Sequence, residues 1–346
     1  MSCLPILSSL ARLAEVGSIA FVGLRGALLA SLLSGCASAV PATTDVSQAL
    51  SASSEATMDI DGMWDFGDPA ASEASFRAAL ARAATDDTGH RLELETQIAR
   101  ALGLQDAFTE AHALLDGVRP RLQGNAAAHV RYLLERGRVF NSAKQVEQAR
   151  PLFQQAWELG QRERVDRLAV DAAHMLAIVE IGDPDLALSW NLETLRHAEG
   201  SQQADAREWL GSLYNNIGWT HLDRGEHDNA LEVFDKGLAW RQSRDDPRAA
   251  LIAKWSVGRA LRALGRCQDA LQTQRQVEHA YAQNDLGESG FVYEELAECM
   301  RVLEQPGHKA YFGRAHALLS NESWLVESDP DRIKRLWKLS GQGEGE

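Results

Sequence analysis

The chain has 346 residues, is 45% hydrophobic and carries a formal net charge of −14. An acidic surface of this size repels phosphate backbones and anionic lipid, which argues against nucleic acid as a partner. Only nine prolines occur, several of them where a helix would start, and no segment alternates strictly between apolar and polar residues between turn signals, so an all-helical chain is expected and a sheet is not.

Residues 1–57 are rich in Ala, Ser, Leu and Gly, and their only charged residues are Arg12, Glu15, Arg25, Asp45 and Glu55. Two readings compete there. LLSGC at 32–36 resembles a bacterial lipobox, which would acylate Cys36 and place an outer-membrane lipoprotein facing the periplasm, with 37–57 as a tether. The favoured reading is that translation starts at Met58, leaving a cytoplasmic protein. Arg25 breaks the apolar run from Val16 to Leu33, and what remains is too short for a membrane span. Membrane contact is expected only through a lipid on Cys36.

Regular patterning begins after Met58. Asp59, Asp61 and Asp65 read as solvated acids, because the loop glycine and distal glutamate of a calcium site are missing. Four Asp-Pro pairs, Asp68-Pro69, Asp183-Pro184, Asp246-Pro247 and Asp329-Pro330, read as a helix cap followed by a first-turn proline. A half-copy, PAASEASFRAALARA, opens a series of two-helix segments. TQIARALGLQDAFTEAHALLDGV carries Ala99, Ala111 and Leu115, and LLERGRVFNSAKQVEQARPLFQQAWEL carries Gly137, Ala149, Phe153 and Ala156. DAAHMLAIVEIGDPDLALSWNLETL has Met175 where a small residue is expected. The clearest copy is LYNNIGWTHLDRGEHDNALEVFDKGLAWR, with Gly218, Gly225, Ala230, Phe234 and Gly237. KWSVGRALRALGRCQDALQTQRQVEHA follows with Gly258, Gly265 and Ala270. In EELAECMRVLEQPGHKAYFGRAHALL, Glu298 replaces the small residue. DPDRIKRLWKLSG, at about 330–339, closes the series as a capping helix with Ile333, Leu336 and Trp337 in one stripe.

Alanines 111, 149, 187, 230, 270 and 310 recur every 38 to 43 residues, each near the start of a second helix. One antiparallel helix pair cannot bury its apolar face alone, so neighbours stack and share it. Small residues where helices cross are then a packing demand, since a larger side chain there overpacks the contact by about 1–3 kcal/mol. The pattern resembles the tetratricopeptide repeat family, in the longer-repeat form of kinesin light chains and bacterial regulators. The resemblance implies a right-handed α-α superhelix over residues 58–346, with about seven helix pairs and the capping helix.

No motif for catalysis, nucleotide binding or metal binding is present: HExxH, GxxxxGK, a Gly-rich dinucleotide loop and GxSxG are all missing. Neither an enzyme nor a cofactor is expected. The histidines are scattered, and His174 falls at a packing position. Cys267 and Cys299 read as buried helix residues, their closeness left open.

What remains is a binding surface. In the family that the pattern resembles, first helices line a concave groove, and residues about eleven positions before each anchoring alanine point into it. On this chain those positions hold Arg100, Arg138, Leu176, Trp219, Arg259 and Cys299, with Arg131, Asn141, Asn215, Asn216, Trp255 and Arg262 nearby on the same helices. Two successive asparagines in mid-helix need a reason, because asparagine is a mediocre helix former. The arginines either hold a ligand or pair with carboxylates of the next repeat, and the tryptophans either face the groove or belong to the core. The expectation is a non-enzymatic scaffold holding a protein segment, with acidic groups of that segment meeting the arginines. The alternative is a regulatory or sensor module taking a small peptide or signal.

Overall fold

The computed structural model describes residues 60–244 and 246–342, and Cys36, Met58 and Asp59, with the expectations attached to them, lie outside these. The described residues contain sixteen α-helices, two short 3-10 turns and no strand, and none of the helices is long and apolar enough to cross a membrane. They belong to two compact units that divide at Leu152 and Phe153.

The first unit holds a 3-10 turn at Asp61–Met63, α1 (Pro69–Arg82), α2 (Thr88–Leu104), α3 (Phe108–Val118), α4 (Ala126–Ser142) and the opening of α5 (Val146–Arg162). The second holds the rest of α5, then α6 (Asp166–Val179), α7 (Pro184–Gly200), α8 (Ala204–Arg207), α9 (Leu210–Asp223) and α10 (His227–Gln242). It continues with α11 (Pro247–Ala263), α12 (Cys267–Gln283), α13 (Gly290–Val302), α14 (His308–Leu319), α15 (Ser323–Ser328) and α16 (Pro330–Leu339). Counted along the chain, six first-and-second helix pairs are flanked by α1 and α16, which are single.

The four Asp-Pro pairs start helices as the sequence indicates. Asp68, Asp183, Asp246 and Asp329 each accept a backbone N–H of the first turn, and the proline fills a position whose own N–H would have no partner. Helix ends share one device. At the turn after α2, α4, α9, α11 and α13, the second residue takes positive φ: Asp106, Lys144, Gly225, Gly265 and Glu304. The next N–H then reaches back five residues, as in Gln145 to Phe140 O at 2.8 Å and Glu226 to His221 O at 2.9 Å. This closure satisfies carbonyls that the helix end leaves open.

Packing follows the small residues. Ala111, Ala149, Ala230 and Ala270 are fully buried. A Cβ on Gly218 would come within 2.4 Å of the Phe234 ring, so α9 and α10 touch there only because that residue has no side chain. Two anchors fall elsewhere than expected. Ala187 is half-exposed, because α7 buries the stripe Leu188, Asn191, Thr194 and Ala198, one residue further round. Ala310 is exposed, because the turn into α14 has five residues where the turns into α3, α5, α10 and α12 have three. The core of α14 is instead Phe312, Ala315 and Leu319, with Tyr311 packed beside it.

His174 is buried with its ring 5.4 Å from that of Trp209. Cys267 and Cys299 are buried free thiols that meet each other, and burial first, then this neighbour, pushes the Cys299 thiol up. In α16, Leu336 is fully buried and Ile333 packs against the core, whereas Trp337 remains 40% exposed.

Two stability measurements check this packing. Ala230→Leu should lower the unfolding free energy in urea by about 1–3 kcal/mol, while Ala310→Leu should leave it nearly unchanged. Equal effects at the two positions would contradict the assigned contacts. Gly225→Ala, at φ 74°, should cost about 1 kcal/mol, whereas Lys144→Gly, at φ 61°, should be neutral or stabilising. A stabilised Gly225→Ala protein would contradict the shared turn.

Candidate functional site

The first-helix residues fall into a separate group in each unit. In the first unit the centre is Glu135 on α4, whose side chain is 1% exposed. Arg138 donates to it at 2.8 Å, Gln97 Nε2 at 3.1 Å, and Arg100 approaches at 3.8 Å. The Arg100 guanidinium also lies 4.9 Å from the Trp64 ring and 5.0 Å from Phe66, while the Trp64 indole donates to Gln97 at 2.8 Å. The chain preceding α1 thus covers this face of α2. Asn141 is half-exposed near the end of α4.

Asp61 is not the solvated acid expected from the sequence. It accepts from Arg131 Nη2 at 3.1 Å, and Glu93 accepts from Arg131 Nε at 2.6 Å. Burial alone would lower the Arg131 pKa, but Asp61 and Glu93 outweigh it and hold the guanidinium above its ordinary value. Asp65 serves the backbone, accepting from Gly67 N–H at 2.9 Å.

In the second unit, α9, α11 and α13 present two parallel rows. The first is aromatic: Trp219 lies 5.6 Å from Trp255, Trp255 lies 6.0 Å from Phe291, and Phe291 stacks on Trp324 of α15 at 6.3 Å, all between ring centroids. All four rings are half-buried. Both indole N–H groups of the α9 and α11 members are met, Trp219 by Asn215 Oδ1 at 3.2 Å and Trp255 by the Phe291 carbonyl at 3.3 Å. This explains one of the two mid-helix asparagines, since a partly buried indole needs an acceptor. The Asn215 amide in turn reaches Asn216 Oδ1 at 3.4 Å.

One helical turn further along each helix lies a charged row, Asp223, Arg259 and Glu295. Arg262 grips Glu295 with two bonds, Nε to Oε2 at 2.5 Å and Nη2 to Oε1 at 3.0 Å. Arg259 approaches the same carboxylate through Nε at 3.2 Å and makes no hydrogen bond to the described residues. Their electrostatics diverge accordingly. Burial lowers the Arg259 pKa, with Glu295 only partly opposing it, whereas bonds to Glu295 outweigh burial at Arg262 and raise it. Burial also raises the Asp223 carboxyl, against the opposing charge of Arg259.

Glu298, where a small residue was expected, is 3% exposed and lies between Arg301, at 3.1 Å, and Arg335 of the capping helix. Its neighbour Glu294 accepts from Arg332 Nε at 3.0 Å. The final helix therefore fixes a carboxylate-rich face on α13.

Of the sequence candidates, Asn215, Asn216, Trp219, Trp255, Arg259 and Arg262 come together on one face of the second unit. Arg100, Arg131, Arg138 and Asn141 belong to the first unit, where Arg131 is taken up by Asp61 and Glu93 and the other two arginines serve Glu135, while Leu176 and Cys299, read from the sequence as groove-facing, are buried in the core. Phe291, Trp324 and Glu295, which are not among the sequence candidates, complete the face. The 36-residue spacing of Trp219, Trp255 and Phe291 carries that signal.

Residues 211–244 match the family described as tetratricopeptide repeat. Among solved structures, the chain resembles BtubC (BKLC) from P. vanneervenii at 16% identity and TM-score 0.51, covering 65% of this chain and 94% of that one. It resembles a signal transduction ATPase with a tetratricopeptide repeat sensor from Pyrococcus horikoshii at 14% identity and TM-score 0.60, over 77% of this chain and 41% of that one. A third likeness is to the apo form of the quorum sensor NprR from B. thuringiensis, at 15% identity and TM-score 0.53, over 80% and 79% of the two chains. No curated protein matches in sequence. At these identities the likeness is one of fold, the all-α tetratricopeptide repeat array.

Because Glu295 serves two arginines from within the protein, its removal should be costly. Glu295→Ala is expected to destabilise the chain by about 3–5 kcal/mol in urea unfolding, by stranding Arg262 and Arg259. A change under about 1 kcal/mol would mean that solvent already screens the cluster.

Proposed function

We propose that this tetratricopeptide repeat protein is a non-enzymatic scaffold that holds a peptide segment of a partner protein on the first-helix face of its second unit, with a carboxylate of that segment meeting Arg259. The observation that carries this reading is the unspent hydrogen-bonding capacity of Arg259. Its side chain is 30% exposed, its Nη groups have no hydrogen-bond partner among the described residues, and the carboxylate beside it is already gripped by Arg262. A guanidinium placed so is a ready partner for a planar anion, which it binds through paired, charge-assisted bonds.

Asn216 and Trp219 extend the same surface. Asn216 offers amide donors one turn from Trp219, and the Trp219 ring offers an apolar contact whose polar end is already satisfied by Asn215. Neither group needs to be activated for chemistry. Elsewhere in the unit, Ser201, His197 and Asp166 come together, but Ser201 donates directly to Asp166 at 2.5 Å, so the histidine does not stand between them as a base.

A regulatory module that takes a small peptide signal would use this same face. The two readings part on whether the ligand is a segment of a folded protein or a free peptide. Crosslinking in the native cell, followed by identification of the captured species, separates them.

The arginines themselves supply the test of the site. With the captured partner in hand, Arg259→Ala should weaken binding about tenfold or more, more so at low salt, and shift the unfolding free energy by less than about 1 kcal/mol. Arg262→Ala should do the reverse, destabilising the chain through the stranded Glu295. If Arg259→Ala unfolds more easily yet keeps its partner, Arg259 is a strut between repeats and the assignment falls.

A further inference from the structure

The aromatic row of the second unit has a pitch. Its rings follow one another at 5.6, 6.0 and 6.3 Å across α9, α11, α13 and α15. Trp219, Trp255 and Phe291 are 36 residues apart, four short of the separation of Ala230 and Ala270, so the row climbs about one helical turn from α9 to α11. It therefore runs obliquely across the first helices. Ile252, one turn before Trp255 and 42% exposed, widens its apolar edge.

We propose that this row is a docking strip for an amphipathic α-helix of the partner, with apolar side chains recurring about every fourth residue along the rings and carboxylates on the flank that faces Arg259. The proposal rests on the reading that Arg259 meets a partner carboxylate, and it adds the conformation of the ligand and its apolar half.

Spacing decides between a helix and an extended strand. Residues four apart on a helix advance about 6.0 Å, which matches the separation of the rings. Alternate residues of a strand, which share one face, advance about 6.6–6.8 Å and would run ahead of the row by about 2 Å in three steps. Any departure of the rings from a straight line shortens the row further and worsens the strand's mismatch.

Charge sets the orientation. Trp255 and Arg259 are four residues apart on α11, so the guanidinium stands about 6 Å to the side of the row, within the flank of a ligand helix about 10 Å across. Arg262 is already taken up by Glu295, so on that flank Arg259, whose Nη groups have no hydrogen-bond partner among the described residues, is the cation that favours a ligand carboxylate.

The test uses the full chain and two synthetic peptides of about four helical turns and identical composition. One places Leu at every third or fourth position with Glu along one flank, and the other alternates Leu with polar residues. Calorimetric titration should show the helix-patterned peptide binding at least about tenfold more tightly, with a gain in its helical circular dichroism on binding. Ile252→Glu, at an exposed position that leaves the fold undisturbed, should remove that preference, and so should Trp255→Ala. Equal or tighter binding of the alternating peptide would overturn the proposal, as would an unchanged preference in both ring-row variants. Loss of binding in Arg259→Ala alone, with the row variants unaffected, would leave the carboxylate site standing and overturn the helical strip. Failure of both peptides at millimolar concentration would also overturn the strip, while the captured partner still tests Arg259 independently.

Discussion

Close approach of helix backbones is the constraint on which the rest of the structure depends. Gly218 lies so near the Phe234 ring that one added carbon would collide, and Ala230 and Ala270 are buried without remainder. Where crossings are this tight, the helices beside them have little freedom to slide, because packed interiors tolerate only small changes in volume. The ring row of Trp219, Trp255 and Phe291 inherits its spacing from those crossings. Its members sit on different helices, and no covalent link shorter than a whole repeat relates them.

Much of this architecture was legible in the sequence, because packing acts on residue size and helix ends act on residue type. The Asp-Pro pairs name their helix starts, and four of the six recurring alanines name their crossings. The failures are local. Ala310 kept the spacing of the other anchors but missed the contact, since the longer turn between Leu303 and Gly307 moved the register of α14 by one residue. Glu298 looked like a break in the pattern. It is tolerated because Arg335, from a helix that the sequence marks only as a cap, arrives to meet it.

The site was less legible, for a physical reason. An arginine on a helix face reads the same whether it holds a ligand or a carboxylate of its own chain, and the deciding partner is three residues away for Arg138 with Glu135 but a repeat away for Arg262 with Glu295. Sequence spacing placed Arg100, Arg138, Arg259 and Arg262 in one class. Geometry separates them. Arg138 and Arg262 spend their donors on buried carboxylates, Arg100 lies against Trp64 and Phe66, and Arg259 keeps its Nη groups unspent. Phe291 sits two turns earlier on its helix than Cys299, the position the sequence reads as groove-facing, an offset visible only once the oblique course of the ring row is known.

These arrangements divide labour within the second unit. Arg262 and Arg332 neutralise Glu295 and Glu294, so the face beside the rings holds charge without holding a large field, and the apolar row can lie next to ions without a heavy desolvation cost on either. At Arg259 burial depresses the pKa, Glu295 opposes it, and the neighbouring charge of Arg262 adds to it. A ligand carboxylate there would meet Nη groups that have no hydrogen-bond partner among the described residues. The Trp219 and Trp255 rings would supply contact area with their polar ends already bonded, so little hydrogen bonding need be broken there when water leaves them. Affinity on such a face would come from burial along the row, and selectivity from the single guanidinium beside it.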